Sequence, residues 1–119
     1  MEIKLQDAEL KVMDVIWQNG EITAKEIAVT ITERYGWKKN TTYTLLGRCI
    51  DKGAIKRTDP NFICRALIPQ EEVQKAETNE LINKVFGGSE NKLVAALLGL
   101  DNLSSEQIEK LKQIVKELE

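Results

Sequence analysis

The chain contains no histidine. That removes the side chain most often used as a general base near neutral pH. No nucleophile triad can be assembled around an imidazole, and no HExxH pair, Gly-rich phosphate loop or GxSxG turn is present. The carboxylates are spread over helix surfaces, and no two stand out for acid–base work. The chain is therefore expected not to be an enzyme. Cysteine is scarce too. Cys49 and Cys64 are the two in the chain, with no CxxC spacing, so a Cys/His zinc site is excluded and no metal or other cofactor is expected. Both read as small core hydrophobes, with a redox switch as the alternative. No apolar run approaches the roughly 20 residues of a membrane-spanning helix. The opening MEIKLQDAEL lacks the basic start and apolar core of a signal peptide. The expected compartment is the cytoplasm.

What is present is an ordinary globular composition, 42% apolar and 30% charged over 119 residues. This allows one domain, or a small domain with an oligomerisation segment appended. The net charge of −2 looks wrong for a nucleic-acid binder, but its distribution does not. Residues 34–65 hold eight basic side chains (Arg34, Lys38, Lys39, Arg48, Lys52, Lys56, Arg57, Arg65) against Asp51 and Asp59. Residues 71–119 are acidic. A local basic patch, rather than the whole-chain charge, is the footprint of a DNA-binding surface.

That patch surrounds Trp37–Gly53, WKKNTTYTLLGRCIDKG, which reads as a loop followed by a recognition helix. Asn40 or Thr41 is expected to cap its start, and Gly53 to close it in a left-handed conformation. Leu45, Leu46, Cys49 and Ile50 form one apolar stripe. Thr41, Thr44 and Arg48 form the opposite one, flanked by Asn40, Tyr43, Gly47 and Asp51. Hydroxyls, an amide, a phenol and a guanidinium on one face are groups that bond base edges and phosphates. Gly47 is disfavoured in a helix by roughly 1 kcal/mol relative to Ala, and its missing side chain lets a partner come close. The plainer alternative is a solvated face with an incidental glycine.

Two helices are expected before this one. The first starts at Asp7 and runs to about Asn19, with Leu10, Met13, Ile16 and Trp17 inward. The second is opened by a Thr23/Glu26 capping box and stopped by Gly36, with Ala24, Ile27, Ala28 and Ile31 inward. After Gly53, Ala54–Thr58 and Phe62–Ile68 read as two strands joined by Asp59-Pro60-Asn61. Three helices followed by a basic hairpin make a winged helix-turn-helix, whose third helix enters the major groove while the hairpin reaches the flanking backbone. Lys38, Lys39, Lys56 and Arg57 are then candidate phosphate contacts, Arg48 a guanine or phosphate contact, and Arg57, Asn61 and Arg65 contacts of the wing. The alternative for the hairpin is a flap that only covers the core.

Pro69 marks a boundary. Helices are expected over residues 70–86 and 90–100, separated by Gly87-Gly88-Ser89, and a last one opened by a Ser104/Gln107 capping box. Their apolar residues include Leu81, Val85, Phe86, Leu93, Val94, Leu97, Leu98, Leu111, Ile114, Val115 and Leu118. A segment this short has too little interior to bury them alone. A twofold pair sharing one core is the economical solution, with a back-packed monomer as the alternative. The fold class expected is mainly α with a small β-hairpin. A winged-helix DNA-binding domain would span 1–69 and a helical dimerisation domain 70–119.

At this point the residues resemble a known family, the BlaI/MecI penicillinase-repressor family of bacterial transcriptional regulators. The likeness covers nearly the whole chain. It rests on LQDAELKVMDVIW (Leu5–Trp17), Trp37 before the third helix, TTYTLLGRCIDKG (Thr41–Gly53), the strand pair ending ALI, and LSSEQIEKL (Leu103–Leu111). It implies a homodimeric winged-helix repressor on a dyad DNA operator, often built on TACA/TGTA half-sites. By motif position, Asn40, Thr41, Thr44 and Arg48 match the DNA-contacting set, and Tyr43 falls where the family varies. Thr42 and Cys49 replace residues that are usually apolar. The hairpin is about two residues shorter than usual. The resemblance also implies a membrane sensor protease as partner in the β-lactam branch, but the positions matching its Asn-Phe cleavage bond hold Ala96-Leu97. No cysteine follows Cys64, so the paired-cysteine motif of the copper-responsive branch is missing. The expected function is sequence-specific repression. The alternative is a winged-helix protein–protein interaction module, which the acidic pI of 5.3 favours. A regulator with a small-molecule pocket between the dimer helices is a third reading.

Overall fold

A computed structural model of the chain describes residues 3–100 and 104–118, apart from the side chains at 111, 114, 115, 117 and 118. The described chain divides into two compact units, Met1–Val73 and Gln74–Glu119.

The first unit begins with α1 (Asp7–Asn19), β1 (Glu21–Thr23), α2 (Ala24–Tyr35) and α3 (Lys39–Asp51). It continues with β2 (Ile55–Thr58) and β3 (Ile63–Ala66). The sheet is antiparallel and three-stranded, in the order β1-β3-β2. The two-stranded hairpin expected from the sequence is thus joined by a third strand. Three residues, EIT, are too short to show a period, but Ile22 is buried and lies opposite Cys64. Phe62, expected in a strand, instead precedes β3 at φ +50.

The core is a single cluster. Val12, Met13, Val15 and Ile16 of α1 meet Ile27 and Ile31 of α2, Leu46 and Cys49 of α3, and Ile55 and Cys64 of the sheet. All are essentially inaccessible. Leu10 and Trp17 pack at its margin, half-buried, and the Trp17 indole N–H donates to the Ile68 carbonyl at 3.0 Å. The residue of α1 that sequence periodicity does not reveal is Glu9, 1% exposed. Its carboxylate accepts from the Gln6 amide at 2.8 Å and from Lys52 Nζ at 2.6 Å. By reaching back to Gln6, Glu9 sets the start of α1, and Asp7 becomes the first helical residue rather than its cap.

The helix ends explain the placement of α3. Thr23 Oγ1 accepts from the Glu26 amide at 3.2 Å, as expected of the capping pair. Gly36 adopts the left-handed conformation after α2, at φ +70. The turn that follows is held by Thr32 Oγ1 donating to the Trp37 carbonyl at 2.7 Å. At the far end of α3, Gly53 lies at φ +83, its amide bonds Ile50 O at 3.0 Å, and the Ala54 amide bonds Cys49 O at 2.9 Å. This nested pair of bonds is a Schellman closure, a conformation glycine adopts without strain.

The second unit contains most of α4 (Gln70–Val85), then α5 (Glu90–Leu98) and α6 (Ser105–Leu118). Ser104 and Gln107 cap α6 reciprocally, at 2.9 and 3.1 Å. Here the apolar side chains are poorly covered. Leu81 is 42% exposed and Val85 62%. Phe86, Leu93, Val94, Leu97 and Leu98 are half-buried, and α5 has no buried residue. Leu111, Ile114, Val115 and Leu118, expected on the same apolar surface, lie outside the described side chains.

Candidate nucleic-acid interface

Helix α3 has one buried face and one open face. Thr42, Leu45, Leu46 and Cys49 point inward. Asn40, Thr41, Thr44 and Arg48 are exposed. Gly47 is half-buried, and a Cβ placed on it would meet nothing within 4 Å. A backbone this accessible lets a partner approach α3 more closely than a side chain would permit.

The start of α3 differs from expectation. The helix begins at Lys39, so Asn40 and Thr41 lie inside the first turn instead of capping it. Lys38 holds the N-cap position without a side-chain bond to the helix. Two lysines at an uncapped N-terminus oppose the helix dipole, which favours anions there. The Lys39 and Asn40 amides, which make no hydrogen bond among the described residues, and both ammonium groups suit a phosphate. The Thr44 hydroxyl donates to the Asn40 carbonyl at 3.0 Å. Its hydrogen is thereby engaged, and its lone pairs are presented outward as acceptors.

Tyr43 is half-buried against the hairpin. Its ring meets Phe62 edge-on, with centroids 5.9 Å apart, and the Lys39 ammonium lies 5.7 Å from its centre. Arg57 stacks on Phe62 at 3.7 Å and donates from Nε to Asp59 Oδ1 at 3.0 Å. The strand register separates the hairpin cations. Arg57 lies opposite Cys64, whereas Lys56 lies opposite Arg65, which in turn lies opposite Glu21. Facing residues share one side of a pleated sheet, so Lys56 and Arg65 project from the side opposite Arg57. Arg65 is ion-paired there with Glu21 at 3.3 Å. Asn61 is exposed in the turn. The structure therefore gathers Lys38, Lys39, Asn40, Thr41, Tyr43, Thr44 and Arg48 along α3, joins Arg57 to them through Phe62, and sets Lys56 and Arg65 apart. Among the described residues, Lys38, Lys39, Arg48 and Lys56 make no ion pair.

Three contributors were not visible in the pattern of the chain. One is Phe62, whose left-handed backbone is unfavourable for a residue with a side chain by about 1–2 kcal/mol. A second is the Lys52–Glu9 pair, which ties the end of α3 to the start of α1. Burial pushes the Glu9 carboxyl up, but bonds from Lys52 and the Gln6 amide, with the charges of Lys52 and Arg48, outweigh it. The carboxyl is held below the usual range. The third is Lys11, whose ammonium lies 5.4 Å from the Tyr35 ring and 5.7 Å from Trp37, bracing the α2–α3 turn from α1. Basic and aromatic residues this far apart give no sequence signal until the helices pack.

The two thiols are free and buried. Burial, reinforced by the Glu9 charge, pushes Cys49 up to about 12, and burial pushes Cys64 up to about 11. Both stay protonated at neutral pH and are poor nucleophiles. Among the described residues, no cluster of three His, Cys, Asp or Glu could hold a metal ion, and no helix is long and apolar enough to cross a membrane.

Comparison with known proteins gives one consistent result. A family model described as penicillinase repressor matches residues 5–117. The penicillinase repressor of Bacillus licheniformis is 31% identical over 116 residues, spanning 96% of this chain and 91% of that one. The methicillin resistance regulatory protein MecI of Staphylococcus aureus (strain N315) is 31% identical over 114 residues, spanning 94% and 93%. Among solved structures, the DNA binding domain of the repressor BlaI, determined in solution, matches at a TM-score of 0.55 and 30% identity. That match covers 59% of this chain and 88% of the domain.

Proposed function

The chain belongs to the penicillinase repressor family and is a DNA-binding transcriptional repressor, and we propose that it acts as a homodimer placing two copies of α3 in successive major grooves of a dyad operator. One observation carries this reading. The exposed polar face of α3 is coupled to an uncapped, lysine-flanked N-terminus, which suits base edges along the helix and a phosphate at its head. Arg48 is the charged contact in the groove. Lys38 and Lys39 hold the backbone at the head of the helix, and Arg57 holds it at the wing. Asn61, exposed in the hairpin turn, contributes at the periphery, whereas Lys56 and Arg65 project from the other side of the sheet and are left out of this interface.

The second unit supports the dimer. Exposed Leu81 and Val85 lie one turn apart on α4, and the half-buried aliphatics of α5 lack a complete cover of their own. A twofold partner would supply the missing interior and set the two recognition helices about one turn of DNA apart. The Ala96-Leu97 bond lies within α5 and does not match the Asn-Phe pair cut in the β-lactam branch. The proposed mechanism therefore includes no cleavage at that bond.

The test is fluorescence anisotropy on duplex DNA from upstream of the protein's own gene, beside a scrambled duplex, at two salt concentrations. Tight binding that prefers the native duplex and weakens steeply with salt is expected, since each neutralised phosphate contributes about −0.9 to the slope of log K against log salt. Footprinting then locates the dyad. Equal, weak binding to both duplexes would overturn sequence-specific recognition of that DNA.

A further inference from the structure

Five side chains form one continuous stack on the first unit. The Lys39 ammonium faces Tyr43, and the Tyr43 and Phe62 rings meet edge to face at an interplanar angle of 69°. Arg57 lies over Phe62, and Asp59 accepts from Arg57 Nε. The stack runs from the first turn of α3 to the turn of the hairpin. Its middle member is the one described non-glycine residue at positive φ. Glycine or asparagine would take that backbone readily. The aromatic ring is therefore held there by its contacts rather than by its own preference, and such outliers concentrate where function over-determines the backbone.

We propose that Phe62 is a positioning residue that couples the wing to the recognition helix, so that the grip of Arg57 on the DNA backbone and the reading of bases beside Tyr43 are set together. The inference rests on the DNA-binding reading above. Arg57 is fixed at two points, on the ring and at Asp59. Its terminal guanidinium nitrogens make no hydrogen bond among the described residues and are left for a phosphate. Tyr43 packs against the same ring. Side chains held in place before binding lose less freedom when they bind. Removing either neighbour loosens the ring against which the other rests, so the two should not act independently. Phe62 need not touch DNA to do this.

The test is a double-mutant cycle on the full chain, read by anisotropy on the upstream duplex protected in the footprint. Wild type, Tyr43→Ala, Arg57→Ala and the double variant are compared, then the same four in a Phe62→Gly background. Glycine suits φ +50, and thermal melts establish that the background folds. If it does not, Phe62→Leu, which is apolar but has no ring, takes its place. In the native background, the affinity lost by the double variant should differ from the product of the single losses by about threefold or more, as for coupled neighbours. Without the ring the losses should multiply. Additive behaviour in both backgrounds would overturn the proposal, as would coupling of equal size without the ring. If wild type bound no upstream duplex, the operator reading would fail and the proposal with it. Wild-type binding with an additive cycle defeats the proposal alone.

Discussion

The two units of the chain solve the problem of burial differently. In the first, Met13, Ile16, Ile27, Ile31, Leu46 and Ile55 are all essentially sealed from solvent within one three-helix and sheet core. In the second, Ile82 is the sole buried residue of α4, α5 has none, and Leu81 and Val85 stand open. The contrast is one of function as much as of packing. In the role proposed for it, α3 must be held rigidly to present Asn40, Thr44 and Arg48 at fixed spacing, and its inner face is committed to a local core. The aliphatics left open in the second unit are the surface the proposed dimer would cover. The prediction is that the first unit has a stability independent of concentration, while the second has one that depends on assembly.

The sharpest way to break this comparison is to charge the open face of α4. Leu81→Asp with Val85→Asp should raise the dissociation constant of the proposed dimer at least about a thousandfold, roughly 4 kcal/mol, because carboxylates would be buried in its apolar contact. Sedimentation equilibrium reads the change. An unaltered dimer would place the interface elsewhere. The complementary substitution is Leu46→Ala, inside the first core. It should lower stability by about 2–5 kcal/mol at every protein concentration, measured by denaturant unfolding. A loss that vanished at high concentration would show that the first unit also depends on its partner.

Glu9→Ala comes next, at about 2–3 kcal/mol. It removes the acceptor for the Gln6 amide and leaves Lys52, which is still one-third exposed, without its carboxylate. The pH dependence has a definite sign. The Glu9 carboxyl is held below its ordinary range in the folded chain. Its stabilisation is therefore fully present above the ordinary carboxylate pKa and is lost as pH falls through the folded value. Glu9→Gln should flatten that part of the acid unfolding curve. An unchanged acid limb would assign the pH dependence to other carboxylates. Arg48→Ala should weaken operator binding by about 1–3 kcal/mol, the range for a bidentate guanine contact, with the dimer intact. Unchanged affinity for the operator would remove Arg48 from the interface.

How much of this was legible depends on whether the signal is local. Thr23, Gly36, Gly53 and the Ser104/Gln107 pair act on their immediate neighbours, and each closes or opens a helix where its chemistry requires. The inward stripe of α3 follows from its period, since Leu45, Leu46 and Cys49 must share a face. Burial of Glu9 was not legible, because it depends on Lys52, 43 residues away. Nor was β1, whose three residues become a strand only through pairing with β3. The candidate site divides in the same way. The exposure of Asn40, Thr41, Thr44 and Arg48 follows from helix geometry. The separation of Arg57 from Lys56 and Arg65 follows from a register that a run of basic residues does not encode. Phe62 runs against its own backbone preference, so local reasoning points away from the conformation it adopts.

Thr42 supplies the smallest and most selective test of the first unit. Thr42 is fully buried on the inner face of α3, and its hydroxyl has no hydrogen-bond partner among the described residues. A threonine within a helix can donate to the carbonyl four residues back, but that carbonyl, Lys38 O, already accepts from the Thr41 and Thr42 amides at 3.0 and 3.4 Å. An unsatisfied buried hydroxyl is unfavourable by about 1–3 kcal/mol. Valine has nearly the same shape and nothing to satisfy. Thr42→Val should therefore raise the melting temperature by a few degrees, the equivalent of about 1 kcal/mol. Most core substitutions destabilise, so a gain is a demanding outcome. A loss of stability would mean that the hydroxyl has a partner in solution. If stability rose while operator affinity fell, the buried hydroxyl would be linked to the exact seat of the recognition helix, and the rigidity that distinguishes the first unit would have been tuned for binding rather than for stability alone.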